Sequence, residues 1–452
     1  MTFDLMIKNA HLVSEDSIDF VNLYIAEEKV QAVTSVSCIY DAAQIIDAEG
    51  RYVFPGCIDT HSHLGDFDGE EEQQQFSTAA AAIGGFTTCI DMPTNTPVVS
   101  TPEIFREKLQ KLGKISYVDF GMYGALVKDN QDQLAAIDAA GALCFKSFLS
   151  PSGGDFTSPN MYEAREALKN IGQAGSMAAF HCEDYFIIDR CFTHMVEHQL
   201  TTRQDFLDSR PLSAELLATR DMIELSRETK TPIHICHVSH PKVAAVIEQA
   251  QSEGIDITGE TCAHYLTFSR EDFLANGPRF KCAPPLREPA AREGLWKYVE
   301  KGVLSCVCSD HSPSSKECKD DSIQPTYCTP NGISGIQTCV TAFYNESVNK
   351  RGLSPTLLAR VMSANPARRF GLYGRKGALR PGFDADLILF DPNLEYTITA
   401  EELRYKHKLS AFVGYKGKGR PVLTLLRGHI IARDGALTSQ DSIGKPLLKH
   451  TL

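Results

Sequence analysis

Residues 52–64 read YVFPGCIDTHSHL, an apolar run of strand length that closes on two histidines one residue apart. On a strand, side chains alternate with period two, so His61 and His63 leave from the same face and can grip one ion. Seven further runs share this design, apolar and ending in polar or small residues: TTCIDMP (87–93), VDFGMYGAL (118–126), ALCFKSFLS (142–150), SMAAFHCED (176–184), TPIHICHVS (231–239), IDITGETCAHYL (255–266) and LSCVCSDHSP (304–313). Between them lie segments of helical spacing and composition, among them PEIFREKLQKL, MYEAREALKNI, AELLATRDMIELSRE, KVAAVIEQAQSEG and AREGLWKYVEKG. Strand and helix alternate in this way eight times, which predicts an α/β fold, a (β/α)8 TIM-like barrel. No GxGxxG follows the first strand, so an open dinucleotide-binding sheet is disfavoured.

The flanks have another texture. Residues 1–54 and those after about 376 contain short alternating runs broken by turn residues, such as VNLYIAEEKVQAV and PVLTLLRGHIIARDG. The expectation is a small β-sandwich domain built from both termini (1–54 and 376–452), with the barrel (55–375) inserted between its halves.

Composition narrows the function. A chain of 452 residues exceeds what one core usually serves, and its 43% hydrophobic content supports real cores. The net charge of -12 argues against nucleic acid or an anionic membrane as partner. No stretch approaches the ~20 apolar residues of a membrane span. The N-terminus lacks a signal-peptide cleavage region, so a cytoplasmic protein is expected. Fourteen cysteines contain no CxxC pair and fall largely within apolar runs, which predicts buried free thiols rather than a disulfide framework. Cys182, beside His181, is the one best placed for metal contact, although an inert thiol is the simpler reading.

Barrel active sites sit at the C-terminal ends of the strands. His61, His63, Lys146, His181, His237 and Asp310 all fall at or near those ends, on strands one, four, five, six and eight, and together could close around two metal ions. Lys146 places an ammonium in an apolar strand, an environment that disfavours the charged form of a lysine. A neutral amine there can add CO2 to become a carbamate (N6-carboxylysine) whose oxygens could bridge two cations; the alternatives are pairing with Asp59 or reaching the barrel mouth. Asp310 could bind a metal weakly, accept a proton from the attacking water and return it to a leaving nitrogen, with a helix cap or Asx-turn as the competing role. His311 is expected to assist it by a hydrogen bond. Three residues before His237, His234 should face the opposite side and be structural. His240 is a weaker candidate for substrate contact, and His264 is expected to pack or to support a ligand.

With these residues placed, the chain resembles the cyclic amidohydrolases, the family of dihydroorotase, allantoinase, dihydropyrimidinase and hydantoinase. The likeness runs from PGCIDTHSHL through GALCFKSF, AFHCED, HICHVSHP, KCAPPLR and SDHSP to SANPARRFGL and GALRPGFDADLILFDP. It implies two divalent metals, zinc foremost with cobalt, manganese or iron as alternatives, held by His61, His63, carboxylated Lys146, His181, His237 and Asp310. It further implies attack of an activated water on a ring amide, a small cyclic ureide as substrate and a homodimer or homotetramer. Where dihydroorotases carry a carboxylate-binding arginine stands Gly65, and where hydantoinases carry an oxyanion tyrosine stands Pro151. The segment ELRYKHKLSAFVGYKGKGRPVLTLLRGHII looks most like the allantoinase branch, which implies opening of (S)-allantoin to allantoate; a hydantoinase or dihydropyrimidinase is the alternative, and a non-enzymatic scaffold a remoter one. TPNGISGIQ resembles the hydantoinase loop whose backbone binds the cyclic amide, which nominates Asn331, with the backbone near Ala283, for substrate binding. The loop GDFDGEEEQQQ departs from the family, and its glutamates are expected to be solvated.

Overall fold

A computed structural model describes residues 3–66 and 72–451. The eight expected strands are all present: β1 (Cys57–Ser62), β2 (Phe86–Asp91), β3 (Asp119–Ala125), β4 (Cys144–Phe148), β5 (Ala178–His181), β6 (Ile233–Ile235), β7 (Ile257–Cys262) and β8 (Leu304–Cys308). They pair in sequence order, every neighbour parallel. The ends of β8 and β1 then meet. Ser62 bridges to His311, the His63 N–H donates to the His311 carbonyl at 2.7 Å, and the Ser309 N–H donates to Asp59 at 2.9 Å, which closes the ring. This is the TIM-type barrel that the alternation predicts.

The helices form where local chemistry allows. Thr101 accepts from the Ile104 N–H ahead of Pro102 and so starts the helix Pro102–Leu112, while Asn160 and Glu163 form a reciprocal capping box for Met161–Gln173. Their apolar faces cover the outside of the barrel, in the core layer that contains Phe105, Phe120, Phe145, Leu168, Phe180 and Ile247. A second cluster, including Ile58, Tyr123, Ala179, Cys236 and Phe370, fills the barrel interior.

A separate mixed sheet of nine strands joins both chain ends. Its strands lie between Phe3 and Pro55 and between Leu387 and Leu437, and its two halves meet where Leu387–Phe390 runs antiparallel to Tyr52–Pro55. The last residues return to the barrel, with the Leu447 N–H donating to the Phe120 carbonyl at 2.8 Å. Between sheet and barrel, Lys376 lies within 3.0 Å of Asp119, Asp384 and Asp386, all buried. Among the described residues no helix is long and apolar enough to cross a membrane, and all fourteen cysteines are free thiols.

Candidate metal centre and active site

His61, His63 and Asp310 converge at the junction of β1 and β8. The Nε2 atoms of the two histidines lie 3.4 and 3.6 Å from the same Asp310 oxygen, and the three could hold one cation. On the opposite side of the mouth, Nδ1 of His181 and Nε2 of His237 face each other at 3.1 Å. The His61 and His237 rings, 5.1 Å apart, join the two groups. All four imidazoles are driven below their ordinary pKa, by burial first, with nearby positive charge adding to it, His61 to about 4. Each is therefore neutral at physiological pH and offers a lone pair to a cation.

Lys146 lies among them, since its charge is one cause of the depression at each of the four histidines. It is fully buried on β4 and its Nζ makes no hydrogen bond among the described residues; the Cys236 thiol beside it is only a weak acceptor. Pairing with Asp59 does not occur, because the Ser309 N–H and hydroxyl occupy that carboxylate. An ammonium left so costs several kcal/mol. Four neutral imidazoles, a carboxylate and an orphaned amine at one barrel rim fit a metal centre far better than a packed core.

Two of these residues hold strained backbone. His237 and Asp310 have φ of 36° and 44°, in the left-handed region that costs non-glycine residues on the order of 1–3 kcal/mol. In each case the strand ends two residues earlier and the turn swings the side chain into the mouth. Burial pushes Asp310 up to about 8, and cations in the cradle would draw it back toward the ionised form. No helix begins at Asp310, so it does not cap one.

The turn at His237 also corrects the placement of His234. The alternation argument put it on the opposite face, but the strand stops at Ile235 and its parity does not carry through. His234 packs on Phe370 of the barrel interior, with Nε2 3.2 Å from Glu260. Glu260 itself was not recognisable as a site residue. It sits mid-strand on β7, fully buried, accepts from the Thr60 hydroxyl at 2.5 Å and lies 2.6 Å from Nδ1 of His61. Burial alone would raise its pKa, but His61 and His234 hold it well below the usual carboxylate range. A carboxylate that fixes the far nitrogen of a ligating imidazole sets its tautomer and basicity. Exchange of Glu260 for glutamine is accordingly expected to weaken divalent-metal binding about 10- to 100-fold, read by competition with a chelator. Undiminished affinity would place the support of His61 elsewhere. Glu183, likewise unforeseen, does the same for His181 at 2.8 Å and pairs with Arg210, while Thr94 holds Nδ1 of His63 at 2.8 Å.

Other expectations resolve differently. The ring nitrogens of His311 engage the Ser77 hydroxyl at 3.1 Å and the Gly335 N–H at 3.2 Å, so it gives Asp310 no hydrogen bond; the turn at Asp310 sends the next side chain toward the helix Gln74–Gly84. His240 caps the helix Pro241–Ser252, accepting from the Lys242 N–H, and lines no part of the mouth. His264 is buried against Tyr265, with a ligand atom grouped near those of Cys262 and Asp310. Cys182 points to Thr219 on the outer helix, away from the histidines, and burial raises its thiol pKa. Of the glutamates expected to be solvated, Glu70 and Glu71 lie outside the described residues. Glu72 is buried, accepts from the Lys406 N–H at 3.1 Å and is pushed up to about 7 by burial.

The mouth opens into a cavity of about 760 Å³ whose walls include His61, His63, His181, His237 and Asp310, together with Pro151, Ala283 and Asn331. Asp155 and Asp189 stand in its wall, and Arg210 is the one lysine or arginine among the lining residues, its charge already matched by Glu183. Gly65 has φ of 91°, and a Cβ there would come within 2.8 Å of the Glu72 carbonyl oxygen.

The sequence profile described as Amidohydrolase family matches residues 52–431. The chain is 33% identical to allantoinase from Escherichia coli O1:K1 / APEC over 439 residues, 95% of each chain, and matches that of Escherichia coli strain K12 / DH10B to the same extent. Among solved structures it is similar to an L-hydantoinase (dihydropyrimidinase) from Arthrobacter aurescens, with a TM-score of 0.96, 32% identity and coverage of 99% and 100% of the two chains. A dihydropyrimidinase from Brevibacillus agri NCHU1002 aligns with a TM-score of 0.91 at 26% identity, over 98% of each chain.

Proposed function

Because this chain belongs to the amidohydrolase family and is a hydrolase of carbon–nitrogen bonds in cyclic amides, we propose that the ring it opens is a five-membered ureide, (S)-allantoin, to give allantoate. The observation that carries the choice is the near full-length likeness to enzymes named allantoinase. Two features of the cavity support it. A dihydroorotate carboxylate would need a cation in the mouth, and Gly65 has neither the φ nor the space for an arginine. Asp155, Asp189 and a neutralised Arg210 instead suit an uncharged, N–H-rich substituent such as the ureido group of allantoin. The second reading, a hydantoinase or dihydropyrimidinase, draws on the likeness to the Arthrobacter aurescens structure.

In this reading His61 and His63 would hold one divalent cation and His181 and His237 the other, with Asp310 beside the first. Lys146 would add CO2 through its amine, with formation of one N–C bond and loss of one proton, and as the carbamate would join the side chains that hold the cations. The cations, zinc foremost, would supply Lewis acidity and lower the pKa of the attacking water. Asp310 accepts the proton of the attacking water as its oxygen adds to the ring carbonyl. When the C–N bond breaks, Asp310 returns that proton to the departing ring nitrogen. The main chain of Asn331 and of the segment at Ala283 orients the ring. Free thiols throughout suit the reducing cytoplasm, and the assembly is a homodimer or homotetramer.

Hydrolysis of allantoin, hydantoin, dihydrouracil and dihydroorotate, measured side by side after loading with each metal under bicarbonate, tests the assignment. The expected result is the highest kcat/KM for allantoin. Turnover of hydantoin or dihydrouracil without allantoin would transfer the assignment to the second reading.

A further inference from the structure

Beneath the rim that carries Asn331 lie two buried lysines whose hydrogen-bond partners are all main-chain carbonyls. Lys281 donates to the carbonyl of Thr326 at 2.8 Å and to that of Thr329, and its Nζ sits 4.4 Å from the centre of the Phe206 ring. Lys319 donates to the carbonyls of Pro330 at 2.8 Å, Gly332 at 2.6 Å and Lys281 at 3.4 Å. The side chains are only 2% and 7% exposed, and neither has an acidic partner among the described residues. Burying a lysine without a counter-ion is costly in either protonation state, so two of them under one loop call for a role.

Peptide geometry supplies it. In a trans peptide the C=O and the following N–H point in opposite directions. Lys319 draws the Pro330 C=O inward, which turns the Asn331 N–H outward. The Gly332 N–H donates inward to the Lys281 carbonyl at 2.9 Å, which turns the Asn331 C=O outward as well. Among the described residues neither group of Asn331 has a hydrogen-bond partner, and Asn331 stands exposed in the cavity wall. One residue thus presents a donor and an acceptor side by side. That pair complements the cis amide of a small ring, whose N–H and C=O also lie on one edge.

We propose that Lys319 and Lys281 are positioning residues, which aim the main chain of Asn331 at the amide edge of the ring substrate by holding the carbonyls around it. This rests on the cyclic-amide reading of the cavity. Lys319→Met keeps the length and removes the donors. It is expected to raise KM about 10-fold with a smaller change in kcat, to leave the melting temperature near that of the parent, and to speed amide hydrogen exchange at residues 329–333. Lys319→Arg, which can still donate, should recover part of the KM. Unchanged KM and exchange, or a fall in kcat alone, would overturn the proposal. If Lys319→Met does not accumulate as folded protein, Lys281→Met, which frees Thr326 and Thr329, is read by the same criteria. The exchange measurement needs no substrate, so it still tests the lysines if the ring has been wrongly chosen, while unchanged exchange defeats the lysine assignment even where allantoin is turned over.

Discussion

Asp310→Asn will yield a folded, metal-binding protein whose kcat is lower by about three orders of magnitude, with KM little altered. The substitution is a sharp probe because of the backbone on which it falls. At φ of 44° most side chains would be strained, but asparagine tolerates the left-handed region about as well as aspartate. Shape and one oxygen ligand are kept. What goes is the ability to take a proton from water and return it to the ring nitrogen, so the loss should appear in kcat. The measurement is steady-state turnover of the best ring substrate alongside metal content and a melting curve. Retention of kcat within about tenfold would move the proton transfer to another group, and loss of metal together with activity would show that Asp310 acts chiefly as a ligand.

The sequence carried the barrel because its signal is periodic and local: each strand is an apolar run bounded by polar residues, and each helix has its own spacing and caps. The six candidate residues were legible for the same reason, since all lie at or near strand ends. Glu260 was not, because a glutamate in the middle of an apolar strand announces no partner, and its meaning appears only when β7 lies against His61 and His234. His234 was misplaced because alternation assumes an unbroken strand, and the positive φ of His237 ends it. His311 went astray through the similar turn at Asp310. The lysines under the Asn331 loop were invisible, since hydrogen bonds to main-chain carbonyls leave no residue pattern to read.

Lys146→Met is expected to abolish hydrolysis and lower metal content, yet to melt at or above the temperature of the metal-free parent, and this divergence is its diagnostic value. Were Lys146 an ordinary ion-paired lysine, its removal would strand a buried carboxylate at a cost of about 3–5 kcal/mol, and the melting temperature would drop. No such partner exists among the described residues: Asp59 is satisfied by Ser309, and the lysine Nζ has no hydrogen bond. A methionine of similar volume therefore relieves an uncompensated charge while leaving the packing on β4 intact. Function responds in the opposite sense. On the proposed reading, removing the amine removes the carbamate from the metal cradle, and the imidazoles of His181 and His237 would then retain a cation only weakly. Intact-protein mass under native conditions should show the parent heavier by one CO2 per chain, with the increment missing from the variant. A variant that keeps its metal and its turnover would remove Lys146 from the centre. A variant that loses activity and also melts far below the metal-free parent would return it to the role of a structural cation.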